Sequence, residues 1–305
     1  MNAGSRRRFL MQSSQLGAAA FASTLISRHA FANPLGRPVG IQLYTVEAPM
    51  LKDPVGTLKT LRKIGFGEVE SAGFGKLTAK QFRQLLDDAG LACPSAHLPF
   101  DINNLGPTFD DAHALGAKYA TSGSLPLPVD PKAAVAMSKP GMSLEQAKRT
   151  AQLAIRIGEA ARRAGVQYVY HNHDFEFADQ GGGAIGYDVL LRETDPQLVK
   201  FEIDCGWMVF AGHNPVDYFN KYPDRFPMIH VKDFLRNPDA NAAAGSAATM
   251  LGAELGRGVV DYKPIFAAAK KAGLQHYFAE QEGPFSRMNQ LQAAQVAYDY
   301  LHSIG

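Results

Sequence analysis

Cysteine is scarce in this chain, with only Cys93 and Cys205 in 305 residues. Two cysteines make no disulfide framework, and both fall in predicted strand segments, so buried thiols are expected. Long hydrophobic runs are missing too. The one stretch that stands out, Leu16 to Ile26, is too short to span a bilayer and is diluted by serine and threonine. Charge of a single sign is also absent: 31 Lys and Arg face 29 Asp and Glu. Four of the arginines and no acid lie in residues 1–32, which leaves 27 basic against 29 acidic residues beyond them. That balance offers no basic surface for gripping nucleic acid. No low-complexity block or linker divides the chain.

What is there begins with an address. Ser5-Arg6-Arg7-Arg8-Phe9-Leu10 is a twin-arginine pattern, and Ala30-Phe31-Ala32 offers a small-x-small cleavage site. Residues 1–32 are therefore expected to be a twin-arginine signal peptide that directs export to the periplasm. Residues 33–305 are then a single domain with a full core, about 270 residues long.

Along that domain, short apolar runs alternate with helical periodicity. Strands are expected at Val39–Tyr44, Phe66–Ser71, Leu91–Leu98, Tyr119–Ser122, Tyr168–Phe177, Val199–Asp204, Met228–Val231 and His276–Glu280. Helices are expected between them, among them Asp53–Ile64, Thr78–Ala89, Ser143–Ala164 and Tyr262–Ala272, with Gln290–Ile304 closing the chain. Ser124–Pro140, rich in Pro and Ala, has the composition of an active-site loop. Eight strands alternating with helices specify an α/β fold, the (β/α)8 TIM barrel.

The carboxyl ends of these strands are polar in a repeated way. Strand five runs YVYHNHDFEF and ends in His171, Asn172, His173, Asp174 and Glu176. Strand six ends in Asp204, strand seven carries His230, Lys232 and Asp233, and strand eight carries Glu280 and Glu282. Each has an ordinary explanation alone: Asp204 capping a turn at Gly206, His230 in the core, Glu280 pairing with Lys232. Four consecutive strands ending this way point instead to a barrel-floor site, because buried imidazoles and carboxylates are costly unless they bind something. One imidazole with two or three carboxylates suits Mn2+, Zn2+, Mg2+ or Co2+.

These segments, YHNHDFEF, FEIDCGW, IHVKD and FAEQE, with IQLYTV at the start and LGRGVVDY further on, resemble the xylose isomerase-like TIM-barrel superfamily. The sugar phosphate isomerase/epimerase branch, with inosose dehydratases and ketose 3-epimerases among its members, is the nearest likeness. The resemblance implies one divalent metal ion held from strands five to eight, with Asp204, His230 and Glu280 matching three of four ligands. His171 stands where those relatives place glutamate. Either His171 replaces that ligand, which is the favoured assignment, or Glu176 reaches back from the loop.

The chemistry implied is proton transfer next to a carbonyl, giving a sugar isomerase or epimerase. Glu280 is expected to serve as both ligand and base, with Glu176 or His173 opposite and Lys232 orienting hydroxyls. Glu70, His97, Trp207 and Arg257 are candidate substrate contacts, and Tyr44 and Phe100 are aromatic candidates for a sugar face. The LGRGVV loop is a weak phosphate signal, so an unphosphorylated sugar, keto-sugar or inosose is expected. The alternatives are a lyase or hydratase on 3-keto-glycosides using the same metal, and a periplasmic sugar-binding barrel without catalysis. A nuclease would require more His and Asp ligands and a basic surface. The expected partner is a small sugar, with no nucleic acid and no membrane; the reading also leaves room for a homo-oligomer.

Overall fold

A computed structural model of the chain describes residues 33–123, 125, 141–236, 250–283, 285 and 287–304. The twin-arginine segment 1–32 and nearly all of the Ser124–Pro140 loop lie outside the described residues.

The strands are β1 (Gly40–Gln42), β2 (Glu68–Ala72), β3 (Ala92–His97), β4 (Tyr119–Ser122), β5 (Gln167–His171), β6 (Val199–Asp204), β7 (Met228–Val231) and β10 (His276–Ala279). They close into one parallel barrel in which β1 pairs with both β2 and β10. Helices cover the outside: α2 (Pro54–Ile64), α3 (Ala79–Ala89), α4 (Gly106–Leu115), α5 (Leu144–Ala164), α6 (Gly186–Glu193), α8 (Pro215–Lys221), α9 (Tyr262–Lys271) and α10 (Gln290–Ser303). The expected barrel is therefore what forms.

Local chemistry explains the helix ends. The Thr78 and Ser143 hydroxyls accept from the amides of Gln81 and Gln146, whose side chains bond back, making full capping boxes at α3 and α5. The apolar spacing of α5 buries Ala147, Ala151, Ala154, Ile157 and Ala161 against the sheet, and Gly165 ends the helix in a left-handed conformation (φ 76°).

Inside the barrel, strand alternation stacks two kinds of layer. Tyr119, Val169, Met228 and Phe278 form a separate apolar cluster. Two residues further along their strands stand Thr121, His171, His230 and Glu280. Residues two apart share a face of a strand. The interior is thus apolar below and polar at the carboxyl ends.

Four stretches depart from the sequence expectation. The expected strand Tyr168–Phe177 stops at His171, and Phe175–Phe177 forms a 3-10 turn. After β1 the chain turns through a 3-10 segment, Leu43–Val46, into a short helix α1 (Glu47–Lys52). A short helix α7 (Cys205–Phe210) starts directly at the end of β6, so Cys205 begins a helix and lies outside the strand. Both thiols are free and buried, as expected. After β7, strands β8 (Asp233–Arg236) and β9 (Met250–Ala253) form an antiparallel hairpin outside the barrel. Its two strands are joined through 237–249, too far apart in sequence for a local pattern to announce the pairing.

Candidate active site

Register brings the polar strand ends together. His171 lies beside Glu202 across β5 and β6, and Asp204 beside His230 across β6 and β7. Glu280 follows Ala279, and its amide donates to Val231 O at 3.0 Å. The side chains sort into two groups that share His230.

The first group is Asp204, His230 and Glu280. His230 Nδ1 lies 2.8 Å from Glu280 Oε2 and 3.9 Å from Asp204 Oδ2. Lys232 enters the same group, its Nζ 3.1 Å from Asp204 Oδ2 and 2.9 Å from Glu280 Oε2, and it also contacts Glu282. Asp204 divides its work: Oδ1 accepts the Trp207 amide at 2.9 Å and caps α7, while Oδ2 faces the site without an aligned hydrogen bond. Gly206 makes this possible, since a Cβ there would stand 2.7 Å from Lys232 Cβ and 2.8 Å from its carbonyl oxygen.

The second group contains His97, His171, Glu202 and His230. Glu202 Oε2 sits 3.0 Å from His97 Nε2, 3.1 Å from His171 Nδ1 and 3.1 Å from His230 Nε2. Glu70 Oε2 adds contacts of 2.7 Å to His230 Nε2 and 3.2 Å to His97 Nε2, and accepts from Gln42 Nε2 at 2.8 Å. All of these side chains but His97 are buried.

The electrostatics follow from dry packing of opposite charges. Burial works against the His230 imidazolium, yet Glu202 and Glu280 outweigh it and hold its pKa well above the ordinary value. His97 behaves alike: burial lowers it, but Glu70 and Glu202 carry it to about 10. His171 is held well below the usual range by burial and by the neighbouring His230. Burial would raise Glu280, but Lys232 and His230 bring it well below the carboxylate range. Burial pushes Asp204 up to about 6 despite Lys232.

The expected site residues are thus distributed unequally. Asp204, His230, Glu280 and Lys232 come together, whereas His171 joins the second group with Glu70 and His97. His173 stacks on Phe175 (5.9 Å) and faces Trp207 (6.4 Å). Trp207 in turn lies 4.9 Å from Lys232 Nζ and donates to Glu282 Oε1 at 3.4 Å. Glu176 is fully buried and turned onto its own segment, where Oε1 accepts from the Tyr170 hydroxyl and Oε2 from the His173 amide, both at 2.9 Å. Arg257 is 3.7 Å from Glu254 and half exposed. The amides of the LGRGVV loop are already taken: Asp233 accepts from Gly256, Gly258 and Val260. Tyr44 is exposed, and Phe100 packs edge-on against Tyr168.

Residues 58–301 match the family described as xylose isomerase-like TIM barrel. The chain belongs to that family. An inosose dehydratase of Lacticaseibacillus casei is 29% identical over 210 residues, 63% of this chain and 66% of that protein. An inosose dehydratase of Geobacillus thermodenitrificans is 34% identical over 140 residues, covering 42% and 45%. The matched stretch therefore spans two-thirds or less of these curated relatives. Among solved structures, a sugar phosphate isomerase/epimerase from Parabacteroides distasonis superposes with TM-score 0.70 at 24% identity, over 91% of this chain and 96% of that one. A xylose isomerase-like barrel protein from Mycobacterium smegmatis in complex with magnesium gives TM-score 0.60 at 17% identity, over 88% and 96%.

Both groups have the donor chemistry of a metal site. Among the described residues, two buried carboxylate oxygens have no aligned hydrogen bond: Glu202 Oε1, and Asp204 Oδ2, which has only the Lys232 ammonium at 3.1 Å. A divalent ion would satisfy either. Glu202 is the residue that sequence reasoning missed, although Glu202 and Asp204 stand two apart in FEIDCGW and so share the inward face.

Proposed function

We propose that this chain is a divalent-metal-dependent enzyme that moves a proton next to the carbonyl of an unphosphorylated sugar, keto-sugar or inosose, acting as an isomerase or epimerase. The observation that carries the reading is the meeting of Asp204, His230, Glu280 and Lys232 at the carboxyl ends of β6, β7 and β10. Asp204, His230 and Glu280 would hold the ion, with His171 next to His230 in the adjoining group. Such an ion supplies Lewis-acid polarisation of a carbonyl and its neighbouring hydroxyl.

The protein's own groups do the rest. Glu280, kept ionised by Lys232 and His230, is the base that takes the proton at its carboxylate. Lys232 Nζ, anchored by three carboxylates, orients a substrate hydroxyl and offers positive charge where negative charge develops. His173, held low in pKa by burial and then by Lys232, is available as a neutral partner on the other face. Glu176 has both oxygens engaged by Tyr170 and the His173 amide, so it acts by positioning His173. Trp207 supplies an apolar wall for a sugar ring.

A second reading, dehydration, draws support from the inosose dehydratase relatives. The leader 1–32 would place either activity in the periplasm. The reading is tested by incubating the full chain with unphosphorylated keto-sugars and inososes, with and without a chelator, and following products by NMR. Chelator-sensitive conversion to an isomer supports it; loss of water supports the second reading. No conversion of any member by metal-loaded protein would contradict both.

A further inference from the structure

The second group has a geometry that the proposed reaction does not use. Three imidazole nitrogens, from the ends of β3 and β5 and from β7, close on one carboxylate oxygen of Glu202 at 3.0–3.1 Å. The candidate ligand atoms of His97, His171, Glu202 and His230 all lie within 4.8 Å of one another. Glu70 approaches the same point from β2. Glu202 is fully buried, and among the described residues its second oxygen has no hydrogen-bond partner.

His230 is the hinge between the groups. Its Nδ1 faces Glu280 and its Nε2 faces Glu70 and Glu202. A neutral ring presents one lone pair, so an ion at each nitrogen requires the remaining ring proton to leave to solvent as the second ion binds, which makes His230 a bridging imidazolate that serves two sites without moving. His97 is the one partly open member, its side chain 19% exposed, and gives an ion a way in from the mouth.

We propose that His97, His171, Glu202 and His230 form a second divalent-cation site, separate from the one assigned to Asp204, His230 and Glu280. With three imidazoles and one carboxylate it takes a borderline ion such as Zn2+, Co2+ or Mn2+ in preference to Mg2+ or Ca2+. Glu70 Oε2, 2.7 Å from His230 Nε2 and 3.2 Å from His97 Nε2, faces the same nitrogens and supplies a further carboxylate oxygen that balances the charge of the ion. The inference depends on the proposed reaction only through the shared His230.

The test uses the full chain stripped of metal and titrated with Co2+, counting bound ions by elemental analysis. Two ions per chain are expected, falling to one in His97→Gln and, independently, to one in Glu280→Gln. One ion that is lost in His97→Gln but kept in Glu280→Gln would uphold this site and remove the metal from the proposed reaction group. Ions retained in full by His97→Gln, or no ion bound by the wild type, would overturn the inference. Should His97→Gln fail to fold, the unmodified protein decides: loaded with 113Cd2+ and labelled with 15N-histidine, it should show cadmium–nitrogen coupling to three imidazoles. Coupling to a single imidazole would contradict the site.

Discussion

Lys232 and Glu280 form a buried ion pair at the mouth of the barrel, with Nζ 2.9 Å from Oε2 and side chains only 2% and 7% exposed. An ammonium this dry persists because Asp204 and Glu282 share it. The pair keeps the proposed base ionised.

Replacing Lys232 by methionine should therefore leave carboxylates facing one another in a dry site. Loss of one partner of a buried ion pair destabilises by about 3–5 kcal/mol. Urea unfolding of Lys232→Met in chelated buffer should show a loss of that order, and a smaller one with Mn2+ present. A loss below about 1 kcal/mol in both conditions would mean that the carboxylates are solvated and the pair contributes little.

Asp233 holds the LGRGVV loop through its amides. Oδ2 accepts from Gly256 and Gly258 at 3.1 and 2.8 Å, and Oδ1 accepts from Val260 at 3.1 Å. Asp233→Asn would turn an amide nitrogen toward these donors, removing charge-assisted bonds worth about 2–4 kcal/mol together. The expected result is lower stability and faster hydrogen exchange at Gly256 to Val260. Unchanged exchange there would show that the loop is held by other contacts.

Glu176 gives a pH prediction. Burial raises its pKa to about 8 in the folded chain, against roughly 4.3 for an exposed glutamate. Between these values the folded state binds the extra proton, so this group's contribution to stability is present in acid and falls as pH rises toward 8. Glu176→Gln, which mimics the protonated form, should be more stable than the parent at pH 8.5 and close to it at pH 4.5. It should also retain metal and lose activity by less than about ten-fold, as a residue acting through His173. A loss of two orders of magnitude or more in kcat would make Glu176 a proton-transfer group.

Export is checked independently of the barrel. A fusion of residues 1–35 to a folded reporter should reach the periplasm, and Arg6→Lys with Arg7→Lys should stop it. Delivery of the reporter by the double variant would refute the twin-arginine reading.

Much of this barrel could be read from local pattern, because short strand segments alternate with helices, several of which carry side-chain caps. Thr78, Ser143 and Gly165 mark boundaries that hold in the structure. The β8–β9 hairpin could not be read this way, since its pairing joins Asp233 to Ala253 across twenty positions of chain. The site was legible as four polar strand ends but not as two groups. His171 reads as a companion of Asp204 and Glu280 along the chain, yet barrel register sets it beside Glu202. His97 and Glu70 were read as substrate contacts, and their closeness to His230 depends on closure of the barrel, a property of all eight strands together.

The account rests on proton abstraction by Glu280 next to a carbonyl, and hydrogen exchange with solvent tests it most directly. Metal-loaded protein would be incubated in D2O with a keto-sugar or inosose that it converts, and deuterium located by NMR. The wild type should place deuterium on the carbon beside the carbonyl, and Glu280→Gln should slow this by about two to four orders of magnitude. Conversion that keeps the substrate's own hydrogen at that carbon, or exchange at the parental rate in Glu280→Gln, would contradict the account.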